Sequence, residues 1–241
     1  MSANSITLVD CKVWLGQYDL STQHNQIALD HGAELLDETS FGTSGTRRYK
    51  PGLKTVKVTG GIFWDDTSDK ALFDRIQADR EVIGLAPTGN AEGDTAFFTR
   101  GVNGTYNPAS GEIGQLLKST LDMASANTPL VRGIVSKPKT AIVASGNSTG
   151  INQGATLSTQ KLYAGLFVFS QEAPGSLDVT IQSDNGSGFP SATTVITFTT
   201  MTDVGAQWQE VSGPITDTWL RSKWVLGGGG QYTFAVVLGI R

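Results

Sequence analysis

The segment LKTVKVTGGIFW, residues 53–64, alternates with a period of two: Val56, Val58, Ile62 and Trp64 fall on one face, Thr55, Lys57 and Thr59 on the other. Successive side chains of a strand point to opposite sides, so this is the pattern of a strand with one face in a core. Similar alternation lies on both sides of it. Within residues 5–16, Val9, Cys11, Val13 and Leu15 share a face against Asp10 and Lys12, and Ile27 and Leu29 open a weaker strand. Short strands follow at Val82–Leu85, Thr95–Arg100, Gly111–Leu121 and Leu130–Val135, punctuated by Gly and Asn. One helix interrupts them, predicted from Ser68 to Asp79. Ser68 is placed to cap it, Asp65, Asp66 and Asp69 suit its positive N-terminal end, and Leu72, Phe73 and Ile76 make a short apolar stripe.

Between the weaker strand, with the Leu35-Leu36-Asp37 that follows it, and the central strand lies ETSFGTSGTRRYKPG, residues 38–52. It is too long for a tight hairpin and too polar for a core. A loop of this length in a compact domain is functional or disordered. Its basic run, Arg47, Arg48 and Lys50, sits beside Glu38, a poor set for gripping nucleic acid and an equally simple one for touching an acidic neighbour. Further on, ASGNSTGINQG, residues 144–154, has the composition of a linker, and the domain boundary is expected there. Residues 151–241 read as an all-β sandwich. Leu177, Val179 and Ile181 alternate with Asp178, Thr180 and Gln182, and Tyr232, Phe234, Val236, Leu238 and Ile240 recur at alternate positions, with further strands at Leu162–Phe169, Thr193–Thr200, Gln207–Val211 and Trp219–Leu226.

Catalytic signatures are weak. Gly146-Asn147-Ser148-Thr149-Gly150 matches G-x-S-x-G, but inside a linker-like stretch and with both histidines, His24 and His31, upstream of it, whereas a nucleophile elbow needs a strand before, a helix after and a later histidine. No string of metal-ligand spacing is present, so His24 and His31 read as structural or surface residues. Asp184–Gly188 lacks the spaced acids of a calcium loop and reads as a turn. Gly227–Gly230 lacks the Lys that completes a phosphate loop. Trp208, Trp219, Trp224 and Phe189 would stack on sugars if exposed; core packing is the simpler account. No catalytic residue, metal or cofactor is expected.

The 241 residues carry a net charge of −4, with 29 glycines and one cysteine, Cys11, expected as a buried thiol. The charge splits evenly but its density does not: 16 acidic and 14 basic residues precede Ile151, against 6 and 4 after it. No basic footprint for nucleic acid is present, no apolar run reaches membrane-spanning length, and the N-terminal residues lack a signal-peptide pattern. Synthesis and folding in a reducing cytoplasm are expected.

Four pieces in order carry a resemblance: Tyr18-Asp19-Leu20-Ser21; Leu36-Asp37-Glu38-Thr39-Ser40-Phe41-Gly42; Tyr49-Lys50-Pro51-Gly52-Leu53-Lys54; and Val56-Lys57-Val58-Thr59-Gly60 before an acidic helix start. Together they resemble the tail tube (major tail) proteins of siphophages. Leu130-Val131-Arg132-Gly133 and the segment from Gly213 to Ile240 are similar to larger members of that group. The resemblance implies a mainly β chain: a sandwich or barrel-like tube domain with one flanking helix over residues 1–150, then a second sandwich over 151–241 that decorates the tube. It implies self-assembly into rings, commonly of six, stacked into a tube in the host cytoplasm and carried in the virion tail. A tape-measure protein and a tail terminator would be partners, and double-stranded DNA would pass through without specific binding. Thr39, Phe41, Gly42, Arg47, Arg48, Tyr49, Lys50, Pro51 and Gly52 would form the loop that reaches the adjacent ring. The alternative expectation is a carbohydrate- or surface-binding sandwich acting through its tryptophans.

Overall fold

A computed structural model describes residues 8–43, 45–76 and 80–241. The chain is mainly β, as expected. Its strands are β1 (Lys12–Leu15), β2 (Tyr18–Asp19), β3 (His24–Asp37), β4 (Tyr49–Phe63), β5 (Glu81–Ala86), β6 (Thr95–Ser110), β7 (Lys118–Ser125), β8 (Val131–Ile142), β9 (Gly146–Asn147), β10 (Ile151–Asn152), β11 (Lys161–Ala173), β12 (Ser176–Asp184), β13 (Thr193–Thr197), β14 (Gly205–Ser212), β15 (Trp219–Gly227) and β16 (Gln231–Ile240), with one helix, α1 (Asp66–Phe73), between β4 and β5.

The described residues form two compact units: those up to 22 with 81–100 and 131–241, and those from 23 to 80 with 101–130. This division differs from a boundary at 150/151. The reason lies in pairing: β8, from the expected first domain, lies against the C-terminal β16, with Leu238 opposite Ile134 and Thr233 opposite Ala141. The supposed linker is built in as well. β9 and β10 are short strands paired on β15, and an added Cβ at Gly150 would stand 2.2 Å from the Phe189 ring.

In the first unit one sheet runs β14-β11-β16-β8-β6-β5-β1-β2, with β6 entering by residues 95–98. A second runs β10-β15-β12-β13, with β9 beside β15. Between them Leu162, Leu166, Tyr232, Phe234, Val236 and Leu238 meet Leu177, Val179, Ile181, Ile196, Phe198 and Leu220, all buried. The opposite faces of β11 and β16 are buried too. There Tyr163, Phe167, Ala235 and Val237 join Trp14, Val82, Phe98 and Val135, and β5 packs against β11 and β14. Burial on both sides explains why β16 reads as a near-continuous apolar run. Gly84 is required here: its Cβ would lie 2.9 Å from Phe167 and 3.1 Å from Trp14.

Two expectations at the N-terminal end are corrected. Val9 is exposed and precedes β1, and Cys11 is only partly buried, although burial still raises its thiol pKa. Trp14, on the face opposite Val13 and Leu15, is fully buried, because β1 has apolar packing on both faces. The part of the expected strand at residues 5–7 lies outside the described residues.

The second unit is an antiparallel sheet in the order β3-β4-β7-β6, where β6 takes part through residues 101–110. Val56, Val58 and Ile62 are buried with Leu121, Met123 and Leu72 of α1, as the alternation predicts; Trp64 follows the end of β4 and is exposed. The helix starts earlier than expected. Asp65, not Ser68, is its cap: its carboxylate accepts the Ser68 backbone N–H at 3.3 Å and hydroxyl at 2.5 Å. Of the expected stripe only Leu72 is buried, while Phe73 and Ile76 are exposed; residues 77–79 lie outside the described residues. The strand expected over 111–121 is corrected as well: β6 continues to Ser110, residues 111–117 turn, and β7 begins at Lys118.

Candidate functional site

The long loop expected over 38–52 is shorter than its composition suggests, and it tips a projecting arm. β3 and β4 pair along nearly their whole lengths, from His24 opposite Ile62 to Asp37 opposite Tyr49, so Tyr49, Lys50, Pro51 and Gly52 belong to a strand. β7 covers β4 only over Lys57–Phe63. The rest, Tyr49–Val56 against residues 31–37, is a two-stranded ribbon about 24 Å long at ~3.4 Å per residue. Pro51 sits opposite Leu35 beside a register shift, a position an edge ribbon tolerates because no ladder donor is lost to a further strand. An added Cβ at Gly52 would lie 3.1 Å from Glu34, so glycine lets the strands close.

The ribbon's turn is tied by polar groups. Glu38 N–H donates to the Arg48 carbonyl at 2.8 Å, and Arg48 N–H donates to Thr39 Oγ1 at 3.0 Å. Thr39 N–H donates to Asp37 at 2.8 Å, and the hydrogen bonds from Thr39 lower the Asp37 pKa. Glu38 pairs with Lys50 at 2.5 Å and with Arg48 at 3.5 Å. Arg47 donates to the Tyr49 hydroxyl at 3.2 Å. Phe41 and Gly42 lie in a single 3₁₀ turn, and the Phe41 ring is fully exposed.

Exposed apolar groups lie on both ribbon faces. By register, Leu35, Tyr49 and Pro51 share one face, and past the bulge between Pro51 and Lys54 Leu53 falls on the other with Glu34 and Leu36; Leu35 and Leu53 are 66% and 77% exposed. Leu36 is exposed on the other face beside Lys50. The sequence pattern puts Tyr49–Gly52 in a loop, Leu35 and Leu36 between the weaker strand and that loop, and Leu53 at the start of the central strand, and assigns none of the three leucines a contact role. The usable signal was the pair of leucines and Leu53 bracketing a polar turn with no apolar residue at alternate positions to complete a core.

The other candidates resolve into structure. Ser148 is buried; its N–H donates to the Ser222 carbonyl at 2.8 Å and its Oγ accepts the Ser222 N–H at 2.9 Å. Ser222 Oγ in turn lies 2.7 Å from Ser136 Oγ. This serine group links β15 to β8. The G-x-S-x-G string runs from β9 to β10, so a strand follows it where a nucleophile elbow needs a helix. Ser148→Ala is therefore expected to lower stability by about 1–3 kcal/mol in denaturant unfolding, since a buried N–H loses its acceptor. His24 lies over Gly60, and among the described residues no group of three His, Cys, Asp or Glu could hold a metal ion. Asp184 accepts the N–H groups of Gly186 and Ser191 at 2.9 and 2.7 Å, a closed turn. Trp208 packs with Phe98 and Tyr163 at ring-centroid distances of 5.4 and 5.5 Å, and Trp224 with Phe234 at 5.8 Å. Phe189 is buried under Arg221. Trp219 is partly buried, paired between Asp184 and Asn152. These aromatics form no exposed sugar-stacking platform.

Lys137 was missed by the sequence reading. Only 4% exposed, its ammonium lies 4.7 and 5.4 Å from the Phe234 and Trp224 ring centroids and donates to the Pro138 carbonyl at 2.8 Å and Thr140 Oγ1 at 2.5 Å. Burial lowers its pKa from 10.5 to about 8, with Glu92 opposing. The unfolded chain then holds this proton to higher pH than the folded one. The penalty is complete below pH 8 and is relieved as pH rises toward 10.5. Burial raises Tyr163 and Tyr232 above 10.0, which has the opposite sign and costs stability above that pH. The melting temperature of the first unit is expected to rise from about pH 7.5 to about 9.5 and then turn over; Lys137→Met should abolish the rise.

The class defined so far is a mainly β chain of two units, one bearing an exposed two-stranded arm. No protein-family model matches the sequence, and no curated protein matches it. Among solved structures, a chain from the virion of the native gene transfer agent particle is 16% identical, covers 50% of this chain and 95% of its own, and has a TM-score of 0.40. A chain of the PVC extracellular contractile injection system sheath-tube complex is 12% identical, with 54% and 93% covered and a TM-score of 0.40. The SPP1 Dit (gp 19.1) hub protein is 12% identical, with 96% and 99% covered and a TM-score of 0.38. Likenesses this distant fix neither family nor function.

Proposed function

We propose that this chain is a non-enzymatic structural subunit of a long non-contractile phage tail tube, assembling into stacked rings around a DNA conduit. The observation that carries the reading is the β3–β4 arm. A two-stranded hairpin with both faces in water is marginal by itself, yet this one presents Leu35, Leu36, Leu53 and Phe41 to solvent. Exposed apolar clusters of this kind mark contact surfaces, and a further copy of the chain is the simplest cover. The ordered pieces from Tyr18 to Gly60 that resemble siphophage tail tube proteins lie largely on the same arm. In this reading Thr39, Phe41, Gly42, Arg47, Arg48, Tyr49, Lys50, Pro51 and Gly52 contact the adjacent ring. Tape-measure protein and then DNA occupy the bore, and a terminator ends the stack. A net charge of −4 suits a conduit, because each cation on a phosphate would add affinity and slow passage. Sedimentation velocity tests the claim: the purified chain is expected to form species of ring mass and larger with rising concentration, and a monomer throughout would refute it.

A further inference from the structure

The arm has a counterpart at the far end of its own sheet. There, Phe63 and Trp64 close β4, and the β6–β7 turn adds Ile113, Leu116 and Leu117, all exposed; Ile113 is fully so and Leu116 69%. These residues form one surface. Lys118 pairs with Phe63 and sets its ammonium 5.9 Å from that ring centroid, and the Trp64 N–H donates to the Leu117 carbonyl at 3.0 Å. Single exposed apolar residues are ordinary, but five gathered at one sheet end make a patch of the kind that marks an interface. Its rim is acidic. Asp65 and Asp66 follow Trp64 directly, Asp69 lies in the first turn of α1, and the Tyr106 hydroxyl, donating to Asp69 at 2.6 Å, holds the helix start to the sheet.

The arm cannot reach this patch in its own chain. Tyr49 and Phe63 are the two ends of one strand, roughly 46 Å apart at ~3.3 Å per residue. Charge decides how copies would meet. At the arm, Arg47, Arg48, Lys50 and Lys54 outnumber Glu34, Asp37 and Glu38; at the patch, Asp65, Asp66, Asp69, Asp74 and Glu112 outnumber Lys70, Arg75 and Lys118. Arm against arm, or patch against patch, sets like charges together, whereas arm against patch pairs opposites.

We infer that the patch formed by Phe63, Trp64, Ile113, Leu116 and Leu117, with its acidic rim, is the receptor for the arm of a second copy. Leu36, Leu53 and Phe41 seat on the apolar floor, and the basic turn faces the rim. The contact is head to tail, so it propagates along the β4 direction instead of closing a pair. This rests on the tube-subunit reading and specifies which surface accepts the arm.

The test uses full-length chains carrying Leu53→Asp on the arm or Leu116→Asp on the patch, both at exposed positions, with circular dichroism to confirm folding. Pelletable polymer is expected to fall at least tenfold for each variant alone. Mixed in equal amounts, they should form layers joined in twos and stop, since one keeps its patch and the other its arm. A charge pair checks the rim: Arg47→Glu and Asp66→Arg should each weaken growth, and both in one chain should restore it. If Leu116→Asp and Asp66→Arg polymerise like the parent while Leu53→Asp does not, the arm docks elsewhere; the inference falls and the tube reading stands. If the parent chain never polymerises, both fall.

Discussion

A chain in which residues 38–48 are replaced by Asn-Gly should stay folded and lose growth beyond a single ring, with pelletable polymer reduced at least tenfold. The register permits the change. Asp37 faces Tyr49 as the last ladder pair, and a two-residue type I′ turn closes such a pair without splaying the strands. Removed with the turn are Thr39, Phe41, Gly42, Arg47 and Arg48, none of which is buried. Folding should hardly change, since the core of this unit, Val58, Ile62, Leu121 and Met123, lies beyond the ribbon, and Val56 packs at the ribbon's inner end, far from the replaced turn. A melting temperature within a few degrees of the parent, together with loss of polymer in a pelleting assay, is the expected pair of results. Unchanged pelleting would assign assembly to another surface.

Phe234→Ala should be the most damaging single change among the core residues discussed. The ring is fully buried between the two sheets of the first unit, packs edge-on against Trp224 at 5.8 Å and forms one wall around the Lys137 ammonium at 4.7 Å. Truncation removes the apolar contact, leaves a cavity that paired strands on either side cannot collapse into, and strips a buried cation of an aromatic face. A cost of about 3–5 kcal/mol follows from the first two effects. For a unit of this size that is a melting-temperature drop of about 10–15 °C, read by calorimetry. A drop of only one or two degrees would mean that the sheets are not packed as described.

The contrast between the two halves shows what a sequence can disclose. β12 and β16 were legible to within a residue or two because Leu177, Val179 and Ile181, and Tyr232 through Ile240, alternate at the strand period and are bounded by turn residues. The central strand was legible for the same reason from Val56 to Ile62. The arm was not. Beyond Val56 the ribbon has no core to face, so no apolar period marks it, and Pro51 and Gly52 imitate a turn. The 144–154 segment misled in the opposite way: its small residues are there because Gly146 and Gly150 meet the rings of Trp224 and Phe189 closely, not because the chain is loose. The unit boundaries were hidden by pairing between segments distant in sequence, as with β8 and β16, which local composition cannot register. Of the candidate site, the basic run and Phe41 were visible as residue types; their place on a projecting arm depended on the β3–β4 register.

Negative-stain electron microscopy of the purified full-length chain, across a range of concentration and salt, tests the central claim most directly. Rings and striated hollow tubes are the predicted result. Compact single particles at every concentration and salt would contradict it.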